Sequence, residues 1–169
     1  MKAISIHQPF ASLIVDDRQW IPANWPRKRV ENRSWPSPFI GVPILIHASK
    51  TTARLEPLRY PMALRERMPF GALVGMAVIS ACIRHELGVK FEFVGKSANL
   101  HLDLAKFAWV VSHPHSEGPV CWVLEHAQRF PEPIPYKGCQ GFFDVPIDIV
   151  AGQITKAVPV NPNDVGVFK

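Results

Sequence analysis

The chain has few cysteines and no long apolar run. Its three cysteines, Cys82, Cys121 and Cys139, are spread along 169 residues and form no C-x-x-C pair. A sparse and odd count argues against a disulfide scaffold and indicates a reducing compartment. No apolar run reaches the length needed to span a membrane, and the N-terminus lacks the apolar region of a signal peptide. We therefore expect a cytoplasmic protein that does not act at a membrane.

The usual sequence signatures of nucleotide-binding folds and of hydrolases are also missing. There is no Walker loop, no G-x-G-x-x-G and no G-x-S-x-G. The nearest approach to a metal site is His113-Pro114-His115 with Cys121, and its spacing fits no standard zinc finger. We expect neither a bound metal nor another cofactor.

Acidic residues are in the minority: 19 lysines and arginines face 14 aspartates and glutamates, which gives a net charge of +5. A basic surplus suits nucleic acid or an acidic surface, but many enzymes carry one too. Apolar residues make up 47% of the chain, enough for the core of one domain. The 17 prolines break the chain into short elements, which favours a small barrel or an α+β fold over a helix bundle.

Hydrophobic patterning predicts five to seven strands and two or three helices. The strands are predicted at 3–6, 29–33, 42–48, 71–83, 107–111, 120–124 and 142–145, and the helices at 8–15, 54–68 and 146–155. Strands 107–111 and 120–124 are expected to form a hairpin-like pair, and 84–106 to be mostly loop. The predicted fold is α+β, with a small, curved, mostly antiparallel sheet or barrel. Residues 1–156 would form one domain and 157–169 a loosely ordered tail.

The most informative segment is 28–35, with the sequence KRVENRSW. Cationic side chains match phosphate, an asparagine offers a donor and an acceptor to a base edge, and a tryptophan offers a stacking face. The residues that provide these groups are Lys28, Arg29, Glu31, Asn32, Arg33 and Trp35. The segment therefore predicts a recognition site for an anionic, planar, hydrogen-bonding partner such as a nucleotide.

Each residue of this segment also has a structural interpretation. Lys28 and Arg33 either contact phosphates or belong to a solvated basic strand edge. Glu31 either pairs with a neighbouring cation or acts as a general base. Asn32 either reads a base edge or caps a turn, and Trp35 either stacks on a base or anchors the proline-rich loop that follows it.

A second set of candidates follows the predicted strand 42–48. His47 is either an acid or base near neutral pH or a structural histidine. Ser49 and Lys50 are candidates for phosphate binding, and Lys50 would also be the catalytic cation if the protein cleaves RNA.

The remaining candidates lie at a helix start and in a turn. Gln8 either faces a ligand from the beginning of the helix or caps it. Tyr136 and Lys137 provide an amphipathic ring and a cation beside Gly138, which permits close backbone approach. An ordinary turn is the alternative for these two residues.

Five short segments occur in an order typical of a known family. They are SIHQPFA at 5–11, ENRSW at 31–35, IHASK at 46–50, GALVG at 71–75 and PYKGCQG at 135–141. Together they resemble the ASCH domain, the activating-signal-cointegrator homology family of the PUA-like superfamily, over roughly residues 2–145. The resemblance implies a β-barrel with peripheral helices and a cleft between barrel and helices that the first three segments line. It also implies binding of RNA or another nucleic acid.

The resemblance implies an alternative, enzymatic function as well. One branch of the family is an amidohydrolase that acts on N4-acetylcytidine, and ribonuclease activity has been proposed for others. The amidohydrolase branch uses a Lys, a Thr and a Glu, the first two spaced three residues apart. Lys28 stands at the Lys-like position here, but Glu31 stands where the Thr would be. The chain also has His7 where the family usually has a cation, and Phe10 where Trp is common.

We therefore predict a protein that binds RNA, single-stranded nucleic acid or a modified nucleoside in an electropositive cleft. The alternative is a nucleotide-directed hydrolase, a ribonuclease or an amidohydrolase, with Lys28, Glu31 and Lys50 as catalytic residues. A buried Lys28–Glu31 pair, or Lys50 beside a nucleophile in a closed pocket, would favour hydrolysis. A protein partner is a third hypothesis, and an exposed apolar patch would be its sign.

Overall fold

The computed structural model describes residues 1–22, 24–86 and 90–160. The strands in this part of the chain are β1 (Lys2–Ile6), β2 (Val30–Arg33), β3 (Pro43–Ala48), β4 (Ala72–Glu86), β5 (Lys90–Phe93), β6 (Val120–Pro135), β7 (Phe142–Asp144) and β8 (Val158–Pro159). The α-helices are α1 (Phe10–Ile14), α2 (Met62–Arg65) and α3 (Ile147–Ile154), and two 3₁₀ helices span Gly95–Asn99 and Leu104–Val110.

The strands form one mixed sheet in the order β2-β6-β4-β3-β1-β7, with β5 paired to β4 and β8 paired to β6. The β1–β3 pair is parallel, whereas β1–β7, β2–β6, β4–β5 and β6–β8 are antiparallel. This sheet, with its few helices, confirms the predicted α+β class. It contains eight strands among the described residues, one more than the largest predicted number.

The chain divides into two compact units. The first comprises residues 1–27, 43–77 and the chain from 126 onward, and the second comprises 28–42 and 78–125. Strands β4 and β6 each contribute residues to both units. The predicted boundary between a domain of residues 1–156 and a tail stays a prediction.

The core of the first unit forms around the β1–β3 pair. Ile44, Leu45 and Ile46 of β3 are all buried, as expected for a strand in the middle of a sheet. Each such side chain contributes about 1.5–3 kcal/mol when it leaves water. The buried cluster that contains Leu45 consists of Ala3, Leu45, Leu73, Phe130, Phe143, Val145 and Val150.

The core of the second unit lies between β2, β4 and β6. Val30 of β2 faces Val123 of β6 in the antiparallel register. The buried cluster here consists of Val30, Ala81, Ile83, Val110, Cys121 and Val123. Strand β2 stands at one end of the strand order. In the described pairings its residues 30–33 therefore have a neighbouring strand, β6, on one side.

The prediction of a strand at 107–111, and of a hairpin-like pair with 120–124, is wrong. Residues 104–110 form a 3₁₀ helix, which begins where the Asp103 carboxylate accepts a hydrogen bond from the Ala105 N–H. Val110 is fully buried, and Phe107 and Trp109 pack against the same core. Because burial alone rewards an apolar run in either conformation, the run could not distinguish strand from helix. The described part of the region 84–106, predicted to be mostly loop, contains the end of β4, β5, the 3₁₀ helix Gly95–Asn99 and the start of the 3₁₀ helix Leu104–Val110.

Near the end of the described chain, β8 forms a short pairing with β6. Val158 lies opposite Arg129 in the β6–β8 pair, inside the segment predicted to be a loose tail. Residues 161–169, the rest of that predicted tail, lie outside the described residues. No helix within 1–22, 24–86 and 90–160 is long and apolar enough to cross a membrane.

Candidate functional site

The predicted site residues fall into two groups, one in each unit. The first unit holds Gln8, His47, Ser49, Lys50, Tyr136 and Lys137, and the second holds Lys28, Glu31, Asn32, Arg33 and Trp35.

The first unit contains an open pocket of about 870 Å³. It lies where β1 and β3 end, beside the turn into β4 and the segment between β6 and β7. We call it the β1–β3 pocket; its lining residues are Ser5, His7, His47, Ser49, Lys50, Thr51, Phe70, Gly71, Pro135, Tyr136, Lys137, Gly138, Cys139 and Gln140. Five of the predicted site residues are among them, and Gln8 is not.

The parallel register of β1 and β3 places two serine–histidine pairs in this pocket. Ser5 lies opposite His47 in the register, and their side chains are hydrogen-bonded at 3.0 Å. Ser49 and His7 form the second pair, with 3.2 Å between Oγ and Nδ1. Side chains two residues apart in a strand point to the same side of the sheet. The pattern Ser-x-His at the end of β1 and the pattern His-x-Ser at the end of β3 therefore place each serine opposite a histidine.

His47 is held by two hydrogen bonds that determine which ring nitrogen carries the proton. The carbonyl oxygen of Tyr136 can only accept, so Nε2 donates to it at 3.0 Å. In the neutral ring Nδ1 is then unprotonated and accepts from the Ser5 hydroxyl. Burial lowers the pKa of His47; the bond to Tyr136 opposes this, and the positive charge of Lys50 lowers the pKa further.

Gly138 allows the backbone to lie against this pair. A Cβ at this position would be 2.5 Å from Ser5 Oγ and 2.6 Å from His47 Nδ1, closer than real Cβ contacts come. The segment between β6 and β7 can therefore cover His47 only with a glycine at this point.

Lys50 enters the pocket over a second glycine. Gly71 has a φ of +61°, and a Cβ added there would be 2.8 Å from the Cγ and Cε atoms of Lys50. The aliphatic part of the lysine thus packs on the turn into β4, while the residue as a whole is exposed. Gly71 also accepts a hydrogen bond from the Tyr136 N–H at 2.9 Å, which joins the two segments.

The pocket combines positive charge with an aromatic surface. Lys50 and Lys137 are exposed, and among the described residues no aspartate or glutamate lines the pocket. The Tyr136 ring stacks on Phe143 with 6.2 Å between centroids and 14° between planes. Such a surface suits a ligand with both an anionic and an apolar or planar part.

Gln8 has a structural role. Its side chain is fully buried, and its Oε1 accepts from the Ser12 N–H in the first turn of α1 at 3.1 Å. Its Nε2 donates to Ser12 Oγ and to the Pro69 carbonyl, both at 2.9 Å. The bond from the Ser12 N–H satisfies an amide of the first turn of α1, as the capping alternative for Gln8 expects, whereas the other two bonds go to a hydroxyl and to the Pro69 carbonyl. Nucleic-acid contact by Gln8 stays a prediction.

In the second unit, Lys28 and Arg33 flank the Glu31 carboxylate. Lys28 Nζ is 3.4 Å from Glu31 Oε2, and Arg33 is 2.9 Å from Glu31 Oε1. Lys28 and Glu31 are buried, at 4% and 8% exposure, so a solvated strand edge does not describe Lys28. If a buried ion pair loses one partner, the other charge is left uncompensated where little water reaches it, which is strongly destabilising.

Asn32 holds a loop in the second unit. Its Nδ2 donates to the His115 carbonyl at 2.8 Å, and its Oδ1 accepts from the N–H groups of Glu117 and Gly118, both at 3.0 Å. The Asn32 side chain therefore holds residues 115–118 in place by hydrogen-bonding to their backbone groups, a role that asparagine side chains often have in turns. Reading of a base edge by Asn32 stays a prediction.

Trp35 packs on another tryptophan. The rings of Trp35 and Trp122 meet edge to face, 4.8 Å apart, and Trp122 Nε1 donates to the Trp35 carbonyl at 2.9 Å. Arg33 lies over the Trp122 ring at 5.6 Å. This contact is of the anchoring kind proposed for Trp35, and base stacking by Trp35 stays a prediction.

The buried thiols are not suited to nucleophilic chemistry. Burial raises the pKa of Cys82 to about 11 and also raises that of Cys121, so the reactive thiolate is scarce at neutral pH. Cys139 is the exposed cysteine of the three. Within the described residues no group of three or more His, Cys, Asp or Glu is placed to hold a metal ion.

The pocket is also lined by residues that were not among the predicted site residues, including Ser5, His7, Gly138 and Gln140. A signal existed, because Ser5-Ile6-His7 and His47-Ala48-Ser49 are mirror-related triplets at the ends of two predicted strands. The triplets become neighbours only if the strands pair in parallel and in this register, which hydrophobic patterning does not specify.

No family model matches the chain, and no curated protein matches it. Among solved structures it is similar to ASCH from Zymomonas mobilis, with a TM-score of 0.49 and 15% identity over 95% of this chain and 97% of that one. Two single-residue variants of ZmASCH from the same organism give TM-scores of 0.48 at 16% identity. Each match covers 92% of this chain, and the matches cover 97% and 95% of the variants' own chains.

Proposed function

We propose that the protein binds RNA or another nucleotide ligand, and that the β1–β3 pocket receives the phosphate. The observation that carries this proposal is the positive charge of an open pocket: its lining, in the part of the chain that the structure describes, contains Lys50 and Lys137 but no aspartate or glutamate. Each lysine that contacts a phosphate releases bound counterions from the nucleic acid, which contributes most of the affinity.

Polar and aromatic groups around the lysines support the proposal. Ser49, Thr51 and Gln140 line the pocket and provide hydroxyl and amide donors for phosphate or sugar oxygens. Tyr136 lines it as well and offers a ring to a base. The volume of about 870 Å³ lies in the range typical of small-ligand sites.

The test is the salt dependence of binding to a short single-stranded RNA. In Lys50→Ala we expect weaker binding and a slope of log K against log salt that is reduced by about 0.7. Lys156→Ala removes an exposed lysine of the same unit that does not line the pocket, and should bind as the wild type does. Equal affinities and slopes in the wild type and Lys50→Ala would refute the assignment.

A nucleotide-directed hydrolase is the second candidate. Two observations favour it: the Lys28–Glu31 pair is buried, and Lys50 lines a pocket that also contains serine hydroxyls, although that pocket is open. Incubation with RNAs, DNAs and acetylated nucleosides, followed for product, decides between binding and turnover. If the protein is a hydrolase, Lys28→Ala or Lys50→Ala should abolish product formation, whereas Lys156→Ala should not.

A further inference from the structure

We propose that Ser5 and His47 form a nucleophile–base pair that transfers the acyl group of an anionic ester or amide to water. The pair itself is independent of the proposed nucleotide binding. Only the anionic character of the substrate rests on that proposal, because it depends on the same two lysines.

The geometry of the pair is that of an activated serine. Ser5 Oγ and His47 Nδ1 are 3.0 Å apart, within the distance at which a histidine takes a hydroxyl proton. The other ring nitrogen donates to the Tyr136 carbonyl at 3.0 Å, which orients the imidazole and keeps Nδ1 free of a proton. A nucleophile, a base and a group that orients the base are therefore aligned in that order.

The surroundings of His47 keep it in the state that a base needs. The ring is 1% exposed and packs edge to face on Phe143, 5.7 Å away between centroids. Burial and the charge of Lys50 both lower the pKa of His47, so the ring is neutral at pH 7. The titratable residues that line the pocket around it are His7, Lys50, Tyr136, Lys137 and Cys139.

Ser5 can be reached from the pocket, because it is half-buried and is one of the residues that line the β1–β3 pocket. The Gly138 backbone lies against it, and a side chain at position 138 would come within 2.5 Å of Ser5 Oγ. A reacting carbonyl carbon must come into the same neighbourhood, so a side chain at position 138 would obstruct it.

The reaction proceeds in two steps. Ser5 Oγ forms a bond to the acyl carbon while its proton passes to His47 Nδ1, and the bond from that carbon to the leaving oxygen or nitrogen breaks as this atom takes the proton. A water molecule then bonds to the acyl carbon while one of its protons passes to Nδ1. The bond between the acyl carbon and Ser5 Oγ breaks as Oγ takes this proton from Nδ1, and the carboxylic acid leaves.

The lysines determine the class of substrate. Lys50 and Lys137 give the pocket a positive charge that favours an ester or amide whose other end carries a phosphate or carboxylate. Positive charge close to the reacting carbonyl also stabilises the negative charge that develops on its oxygen.

The second pair of the pocket is less suited to this chemistry. His7 is exposed, and 3.2 Å separates its Nδ1 from Ser49 Oγ. An exposed imidazole exchanges its bonds with water, so it does not hold the serine in one orientation as a buried ring does.

The first experiment is covalent labelling with a fluorophosphonate, followed by intact mass and peptide mapping. The wild type should gain one phosphonyl group, on Ser5, with release of fluoride. Ser5→Ala should gain none, and His47→Gln should be labelled at least about 100-fold more slowly. Ser112→Ala changes an exposed serine of the other unit and should be labelled like the wild type.

Several outcomes would overturn the inference: an unlabelled wild type, an adduct on Ser49, or an adduct that persists in Ser5→Ala. Thermal unfolding of each variant shows that it is folded, and if His47→Gln does not fold, the mapped adduct and Ser5→Ala still decide. RNA retention is measured on the same samples. RNA binding without labelling refutes only the nucleophile, and labelling without RNA binding refutes only the proposed function.

The second experiment compares two esters, 4-nitrophenyl acetate and the singly charged 4-nitrophenyl succinate. The wild type should prefer the anionic ester in kcat/KM, and Lys50→Ala should reduce that preference about tenfold. Ser5→Ala should hydrolyse neither ester above the rate without protein. A wild type that treats both esters alike would disprove the assignment of an anionic substrate.

Discussion

Among single residues, His47 is a buried histidine whose two ring nitrogens are both hydrogen-bonded. A histidine is accommodated at 1% exposure because both of its ring nitrogens have partners, Ser5 and the Tyr136 carbonyl. Protonation would place a charge where little water reaches and close to Lys50. The folded state therefore prefers the neutral ring.

This preference predicts how stability changes with pH. The unfolded chain protonates His47 near pH 6.5, whereas the folded protein does so at lower pH, so acidification favours unfolding once the pH falls below about 6.5. Urea unfolding should show the wild type losing more stability than His47→Gln between pH 7.5 and 5.5. His101→Gln, at an exposed histidine, should follow the wild type. The same loss in His47→Gln and the wild type would contradict this account.

At the scale of elements, β2 combines sheet pairing with side chains that organise a loop. The strand pairs with β6 from Val30 to Arg33. The Asn32 amide, within this strand, makes three hydrogen bonds to backbone groups of residues 115–118. Glu31, its neighbour, joins Lys28 and Arg33. The charged segment that suggested a ligand therefore also stabilises its own unit.

Asn32→Ala should lower the free energy of unfolding by about 1–3 kcal/mol, because backbone groups of the 115–118 loop lose their partner. Equilibrium unfolding in urea measures the loss. Asn99→Ala, at an exposed asparagine of the same unit, is the control and should change stability by less than about 0.5 kcal/mol. RNA affinity of the folded variant shows separately whether Asn32 also contacts a base. A stability equal to that of the wild type would rule out the structural role.

At the scale of the whole molecule, the basic surplus of +5 favours association with polyanions over a distance of about 8–10 Å in physiological salt. Such an effect depends on all charges together and weakens as salt is added. A specific contact instead depends on one side chain. The two contributions can be separated by comparing variants with the same net charge.

Arg33→Ala provides this comparison. If Arg33 contacts phosphate, as the sequence predicts, the variant should bind RNA more weakly and with a salt slope reduced by about 0.7. Arg54→Ala has the same net charge, and its exposed arginine does not line the β1–β3 pocket, so its slope should match the wild type. Urea unfolding of both variants is needed because Arg33 pairs with Glu31. Identical slopes for the two variants would remove Arg33 from the ligand site.

Local sequence patterns were sufficient for much of the fold. The β-branched, apolar run at 42–48 predicted β3, and the helix expected at 146–155 is α3, Ile147–Ile154. Alternation at 3–6 predicted β1, which spans Lys2–Ile6. These elements are determined by propensity and by burial of neighbouring residues, both of which are local. The apolar run at 107–111 failed because its burial is compatible with either conformation.

Residue types and local patterning were enough to predict the basic character of the chain, its α+β class and five candidate residues that line the pocket. The contact between Ser5 and His47 could not be predicted in this way, because the parallel register of β1 and β3 depends on contacts between segments 42 residues apart. The same holds for the side-chain amides of Gln8 and Asn32. In the folded protein Gln8 accepts a hydrogen bond from a backbone amide at the start of α1, and Asn32 accepts one from the 115–118 loop. The residue types show which chemical groups are present. Strand pairing and burial determine which of these groups contact one another and which already have a hydrogen-bond partner.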